Sequence, residues 1–489
     1  MKASRVTPVV LAVLASAAAF GAPPAAGVKN GGGNVPITTS SDQARQAYRD
    51  GRDLLERLRA TDAGAYFAKA AQLDPAFALA YYGLANTAPT PADFFAALRK
   101  AVALAGKTSE GEAHMILALE AQTNGKPAVA QENLLALVKA YPEDERAHTL
   151  LGNYYFGRQE YEAAITEYRR ATAINPKFSQ PYNQLGYALR SLERYDEAEQ
   201  AFKTYVELIP GDPNPYDSYA ELLMKRGRFA ESIEQYRKAL AQNANFASSY
   251  IGIANDQIFL GKPQEARATL ATLEHIARND GEKRLGHFWT AIAYLHEGDT
   301  RSALGEIGRN HEIAKSAGDR AAMAGDLNLM GTIELEAGHP DAALAKYDES
   351  VAAVDVADTT AAVNETAHRN HLCDLARVAL LRHDLKTAAA DAERYRQAVA
   401  AKNIPFEVRQ AHEIAGLVAA ASGDRVTAVR ELQQANQQDP RVLFALGEAY
   451  AAAGDAAAAR NAFTRAADFD GLGFNYAFVR AKAQAKLKG

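Results

Sequence analysis

Two histidines and a cysteine stand close together in the sequence and are the first candidates for chemistry. They are His368, His371 and Cys373, which is the only cysteine of the chain. On a helix, a spacing of three places both histidines on one face, whereas Cys373 points elsewhere. A zinc site needs a further ligand, and the nearby sequence offers no clear one. We interpret the three as polar groups on a helix surface or at a contact between neighbouring units, and predict no metal and no cofactor.

Motifs of known catalytic and nucleotide-binding sites are incomplete in this chain. His412-Glu413 lacks the second histidine of a zinc-protease helix. Gly106-Lys107-Thr108 resembles the end of a phosphate-binding loop, but Ala101 stands where the first glycine should be. The Gly-x-Ser-x-Gly turn of serine hydrolases does not occur. We therefore expect no catalytic residues and no enzyme, although a site assembled from distant residues would not show in spacing.

Composition describes a folded, alanine-rich protein of 489 residues, of which 48% are hydrophobic. The 54 Lys and Arg residues against 59 Asp and Glu give a net charge of −5. This charge offers no overall attraction for phosphate backbones, so nucleic acid is not an expected partner.

The first 40 residues have the features of a targeting signal followed by a flexible linker. Lys2 and Arg5 precede an apolar run over residues 9–20, which is too short to span a membrane and ends in small residues. We predict a signal peptide over residues 1–19, a flexible linker over 20–40, and a mature chain that is periplasmic or secreted without stable membrane insertion. An uncleaved N-terminal anchor is the alternative.

A repeat of 34 residues organises the rest of the chain. One unit contains Leu151-Gly152, Tyr155, Tyr161, Ala164, Tyr168 and Pro176, and the next contains Leu185-Gly186, Ala198, Phe202 and Pro210. The register continues in both directions, and small residues recur beyond residue 280 at the irregular spacings of 40, 45, 40 and 31. Each unit predicts two helices that approach closely at the small residue, while the aromatic residue fills the space between units.

This pattern resembles the tetratricopeptide repeat. The resemblance implies an all-α, right-handed superhelical solenoid of about twelve helix-turn-helix repeats. We predict a regular array over residues 41–279, an irregular array over 280–467, and a C-terminal capping helix or tail over 468–489.

The resemblance also implies that the first helix of each repeat lines a concave groove. Three positions would face it: one residue after the small position, and three and six before it. Amides recur there, and an amide can pair with an extended peptide backbone of any sequence. The predicted peptide-binding residues are Arg146, Asn153, Gln180, Asn183, Tyr187, Asn214 and Asn255. A merely solvated inner face is the alternative.

These features predict an exported, non-enzymatic scaffold or adaptor that binds an unidentified protein or an extended peptide in its groove. The alternative is a solute- or glycan-binding protein, with or without hydrolytic activity, that uses aromatic residues of the irregular half from Trp289 to Tyr347.

Overall fold

The computed structural model describes residues 33–88, 91–357, 361–400, 402 and 404–488. This part of the chain contains 25 α-helices and no strand, so the protein is all-α as predicted. None of its helices is long and apolar enough to cross a membrane. The predicted signal peptide and the first part of the predicted linker lie outside the described residues.

The helices follow one another with short connections. The first fourteen are α1 Asp42–Glu56, α2 Ala60–Leu73, α3 Ala78–Asn86, α4 Pro91–Ala105, α5 Glu110–Thr123, α6 Pro127–Ala140, α7 Glu145–Gly157, α8 Tyr161–Ile174, α9 Gln180–Ser191, α10 Tyr195–Leu208, α11 Pro213–Lys225, α12 Phe229–Gln242, α13 Ala247–Phe259 and α14 Pro263–His275. The others are α15 Asp280–His296, α16 Thr300–Ser316, α17 Arg320–Glu336, α18 Pro340–Asp355, α19 Ala361–Leu381, α20 Leu385–Ala400, α21 Pro405–Ala421, α22 Arg425–Gln434, α23 Pro440–Ala453, α24 Ala456–Ala467 and α25 Phe474–Lys488.

Helices α1–α24 form twelve successive helix-turn-helix units, which confirms the predicted repeat solenoid. The small position acts as expected. A methyl group added at Gly186 would lie 2.6 Å from the ring of Phe202, and one at Gly152 would lie 2.6 Å from the ring of Tyr168. In these two units, the paired helices approach closely because the residue is glycine.

Turns between paired helices share one backbone conformation. The residue with positive φ is Gly125, Gln159, Glu193, Gly227 and Gly261 in successive repeats, so it also recurs every 34 residues. Glycine adopts this left-handed conformation without strain, whereas Gln159 and Glu193 adopt it at a steric cost. The turn geometry is therefore fixed by the repeat and not by the residue type alone.

Longer helices explain the wide spacing of the later repeats. Helices α1–α14 have 9–15 residues, whereas α15–α21 have 16–21. An additional helical turn adds 3.6 residues. Repeats of 40–45 residues therefore keep the two-helix design and extend each helix.

The chain divides into two compact units, residues up to Tyr219 (unit 1) and residues from Ala220 onward (unit 2). Unit 1 has separate apolar clusters along its repeats, such as those around Phe67 and around Leu134. Unit 2 has a larger cluster around Trp289, and this cluster includes Tyr476 and Phe478 of α25. The predicted C-terminal helix thus packs into the interior of its own unit.

Part of the predicted linker is ordered structure. Residues 33–40 have an extended conformation and are tied to unit 1 by hydrogen bonds to Glu112, Asp144 and Glu145. The description as a flexible tether is therefore wrong for these eight residues. Their low periodicity reflects an extended strand-like path that side chains elsewhere in the sequence hold in place.

Candidate peptide-binding groove

The inner face of each unit is defined here by the first helices of its repeats. It carries the positions six and three residues before the small residue and one residue after it, which share one side of a helix. In unit 1, Glu112 and Met115 have these positions relative to Ala118, and Arg146 has one relative to Gly152. Of these, Glu112 bonds to the extended segment 33–40, whereas Met115 and Arg146 line a cavity beside it.

Carboxylates at the starts of first helices accept the backbone N–H groups of the segment. The amide of Val35 donates to Oδ2 of Asp144 at 2.6 Å, and the amide of Thr38 donates to Oε1 of Glu112 at 2.8 Å. The Thr38 hydroxyl donates to the other oxygen of Glu112. Charge-assisted hydrogen bonds of this kind are stronger than those between neutral groups. The segment is thus held through its backbone amides at Val35 and Thr38 and also through the side chains of Asn34 and Thr38.

The acids that hold the segment also cap the helices. Asp144 is the N-cap of α7 and accepts from the amides of Arg146 and Ala147. Glu112 closes a capping box with Ser109 at the start of α5. The helix start favours a negative charge, and each carboxylate has a second acceptor oxygen available. The local capping signal therefore also places the acceptors for the extended segment.

Two apolar side chains of the segment point towards the helices. Val35 packs against the apolar cluster of α5–α7, and Ile37 packs against the cluster of α1–α3. Gly111 makes room for Val35, since a methyl group at Gly111 would lie 2.9 Å from it. Alternate side chains of an extended chain share one side, so the backbone contacts and the apolar contacts act together.

A cavity of about 490 Å³ lies between the segment and the inner face of unit 1. Its walls include Tyr48, Arg52, Leu79, Met115, Arg146 and residues 34–37 of the segment. The cavity is of the size that small ligands or side chains occupy in proteins. The inner face thus has room for more than the segment that now lies along it.

Arg146 is the predicted site residue that lines this cavity. Its Nε lies 2.6 Å and its Nη2 3.0 Å from the two oxygens of Glu56, and its guanidinium lies over the ring of Phe178. Burial opposes its charge, but the bond to Glu56 and the charges of Glu56 and Glu145 raise the pKa of Arg146. The side chain joins the fourth repeat to the first.

The other predicted residues are less accessible than expected. Asn183 and Asn255 are each 2% exposed and Asn214 is 4% exposed. The Asn214 amide donates to the hydroxyl of Tyr205 at 2.9 Å, and that of Asn255 donates to the Ile251 carbonyl at 2.9 Å. These two amides satisfy polar groups of their own unit, which is the usual fate of a buried amide. Their part in ligand binding stays a prediction.

Three further predicted residues have distinct surroundings. The Asn153 side chain accepts a hydrogen bond from the hydroxyl of Tyr168 at 2.9 Å. Tyr187 is buried edge-on against Phe202, with ring centroids 5.2 Å apart. Gln180 begins α9 and is partly exposed. Among these, Asn153 and Gln180 are partly exposed, whereas Tyr187 is buried.

The carboxylate contacts with the segment were not predicted from the sequence, because the carboxylates stand in patterns that mark helix ends and starts. Asp74-Pro75 marks a helix end, and Ser109-x-x-Glu112 marks a helix start. Both patterns are visible in the sequence, yet they say nothing about the residues of the segment that bond to Asp74 and Glu112, which lie 35 and 74 residues away. Only the fold brings that segment to them.

The histidines considered for metal binding are engaged elsewhere. Nε2 of His368 lies 2.8 Å from Asp355, and Nε2 of His371 lies 3.1 Å from Asp348, whereas Cys373 is buried in an apolar cluster. Burial raises the pKa of the Cys373 thiol well above its ordinary value. The three side chains therefore do not converge on one point.

A second histidine cluster has a structural explanation. His287 lies 2.9 Å from Glu306 and 3.4 Å from Glu274, and the ligand atoms of these three are close enough to hold a cation. The same pairing of a histidine with a glutamate 19 residues later occurs at His148 and at His412. A recurring pair that joins the two helices of a repeat indicates packing and not a dedicated metal site.

Two family models described as tetratricopeptide repeat match residues 117–177 and 167–200. Residues 117–200 of the chain therefore carry tetratricopeptide repeats. Such repeats are protein-interaction scaffolds, which agrees with an inner face that already holds an extended segment.

Relatives match parts of the chain. The small glutamine-rich tetratricopeptide repeat-containing protein 2 of Mycosarcoma maydis is 28% identical over 27% of this chain and 37% of its own length. The type IV pilus assembly protein PilF of Pseudomonas aeruginosa is 27% identical over 33% of this chain and 65% of its own length. The chain therefore spans less than two thirds of either relative. A tetratricopeptide repeat protein from Parabacteroides merdae has a similar solved structure, with 16% identity, a TM-score of 0.35, and coverage of 55% of this chain and 92% of that chain.

Proposed function

We propose that this protein is an exported, non-enzymatic scaffold that binds an extended segment of a partner protein along the inner face of unit 1. The observation that carries the proposal is the seating of residues 33–40, whose backbone amides donate to Asp144 and Glu112. A partner segment with a small apolar side chain at alternate positions would use the same acceptors and the same apolar clusters.

The partner chemistry follows from these contacts. Backbone amides give affinity without sequence preference, whereas the places of Val35 and Ile37 select branched aliphatic side chains. The acids that bond to the segment, Glu112, Asp144 and Glu145, would repel an acidic segment. A neutral or basic extended segment is therefore the favoured ligand.

Export rests on Lys2, Arg5 and the apolar run over residues 9–20. N-terminal sequencing of the protein recovered from its own cells should find a chain that begins near Phe20, in the periplasmic or secreted fraction. Recovery of a membrane-bound form that retains Met1 would contradict the export proposal, and the binding proposal would still stand.

Site-specific photo-crosslinking tests the binding proposal. A photoreactive amino acid at Met115, which lines the cavity, should crosslink one reproducible partner in cells, and the same group at Val426, which is 78% exposed in unit 2, should not. The captured partner should bind about tenfold more weakly to Glu112→Gln. Equal crosslinking at both positions, or equal affinity for both proteins, would exclude the inner face of unit 1 as the binding surface.

A further inference from the structure

The C-terminal helix lies along the inner face of unit 2. Phe288 of α15 is three residues before the small residue Ala291, and its ring stacks on that of Phe474 at 6.2 Å between centroids. Glu448 of α23 is one residue after the small residue Gly447, and it pairs with Lys486 at 2.8 Å. Both positions belong to the inner face, so α25 occupies the place that a ligand has in such a groove.

Residues one helical turn further along the first helices also contact α25. Phe259, His296 and Glu336 each stand five residues after the small residue of their repeats. The ring of Tyr476 meets Phe259 at 5.6 Å and His296 at 5.8 Å, and Lys482 lies 3.2 Å from Glu336. Residues four apart on a helix share one face. Three consecutive first helices, α13, α15 and α17, thus contact α25 in the same way.

The inner face of unit 2 matches α25 in charge as well as in shape. Helix α25 carries Arg480, Lys482, Lys486 and Lys488 and no acidic residue. The inner face offers Glu336 and Glu448 to two of these, and the Phe259 ring and carbonyl to Arg480. The buried part of α25 is aromatic and aliphatic, from Tyr476 to Val479. The groove therefore fits a basic helix with an aromatic face.

We infer that the inner face of unit 2 is a receptor for a basic, aromatic-faced helix of a partner protein, and that α25 is a resident occupant which such a helix replaces. The connection between α24 and α25 is compatible with replacement of α25, because residues 468–473 lie outside any helix and include Gly471 and Gly473. While α25 occupies the groove, a competing ligand binds only the molecules in which the groove is open, so its apparent affinity is reduced in proportion to the open fraction. The surface is distinct from the one that holds residues 33–40.

A labelled peptide of residues 468–488 is the probe. In the full chain, Phe474→Ala with Phe478→Ala removes two rings of α25 and should raise the affinity for the peptide at least tenfold over the wild type. Phe406→Ala, at an aromatic residue that is 49% exposed, is the matched control and should leave the affinity unchanged. Affinities within twofold across all three proteins, or a double variant that has lost its helical circular dichroism, would overturn the proposal.

The peptide also tests the charge pairing. Replacing the peptide lysines that correspond to Lys482 and Lys486 by glutamate should weaken binding to the double variant at least fivefold in low salt, and less in high salt because screening reduces the repulsion. An unchanged affinity would contradict recognition through Glu336 and Glu448.

Hydrogen exchange on the unmodified chain decides whether α25 can leave. Amides of α25 should exchange through a local opening, at least tenfold faster than the slowest amides of α13 and α15. Exchange of all three helices at one common rate would make α25 a permanent part of the core and overturn the proposal. A wild-type dimer with exchanged α25 helices would also overturn it, because the occupant would then be a second copy.

Discussion

Single glycines set the distance between paired helices. Gly186 is the clearest case, because its missing methyl group would lie 2.6 Å from the Phe202 ring. We expect Gly186→Ala to destabilise the protein by about 1–3 kcal/mol, since the ring must move in a close-packed site. Thermal unfolding followed by circular dichroism measures this. Gly157→Ala is the matched control, because Gly157 is also helical but has no neighbour within 4 Å of the added methyl group. Equal melting of the two variants would refute the register.

A buried histidine gives the fold a pH dependence. Burial opposes the charge of His148, but the hydrogen bonds to Glu167 and to the Pro142 carbonyl and the Glu167 charge together raise the pKa of His148 above its ordinary value. A raised pKa in the folded state contributes stability below the unfolded pKa, and this contribution is lost as the pH rises through the folded pKa.

The corresponding variant is Glu167→Gln. It should lower the free energy of unfolding by about 1.5–3 kcal/mol near pH 5.5, the usual size for a hydrogen bond to a charged group. The loss should be smaller at pH 8.5, because the contribution of the His148 charge falls as the pH rises through the folded pKa. Melting curves at the two pH values check this, and a destabilisation that is the same at both would show that the His148 charge is not involved.

The turn between paired helices carries strain that can be removed. Gln159 has a φ of 62°, in the left-handed region that glycine adopts at Gly125, Gly227 and Gly261. Such a conformation costs a side-chain-bearing residue about 1–2 kcal/mol. Glycine avoids this cost, but it loses more backbone entropy on folding, which offsets about half of the gain. We therefore expect Gln159→Gly to increase the free energy of unfolding by about 0.5–1 kcal/mol and so to raise the melting temperature. Gln159→Ala keeps the strain and should not raise it; equal gains from both variants would argue against strain at the turn.

Elements of the solenoid could be predicted because their signals are local. The small and aromatic positions lie 16 residues apart in one repeat, as in Gly186 and Phe202, and they recur in register. The path of residues 33–40 could not be predicted in this way. Its acceptors belong to helices 74 and 109 residues further along, and a capping carboxylate gives no sign of a second bond.

The candidate site shows the same division. The inner-face positions could be assigned from the repeat, and Arg146 does line the cavity of unit 1. Burial of Asn183 and Asn214 could not be foreseen, because accessibility depends on packing between repeats and not on the position within one repeat. The sequence therefore predicts which side of a helix faces the groove, but it does not predict which side chains on that side are exposed to a ligand.

At the scale of the whole molecule, both ends of the described chain lie on inner faces. Residues 33–40 occupy that of unit 1, and α25 occupies that of unit 2. The two occupants differ in form, since one is extended and the other helical. A partner that takes the place of either occupant must displace it, so its apparent affinity is reduced in proportion to the fraction of molecules in which the site is open.

The central claim is that the inner face of unit 1 binds an extended backbone through Asp144 and Glu112. Titration of a labelled peptide of residues 33–41 into the full-length variant Val35→Asp tests it directly, because the new carboxylate beside Asp144 repels the chain's own segment. We predict saturable binding to this variant, at least tenfold tighter than to the wild type, and a further loss of at least tenfold when Glu112→Gln is added. If the peptide does not bind to Val35→Asp saturably, or binds equally well with and without Glu112→Gln, the account of the groove is contradicted.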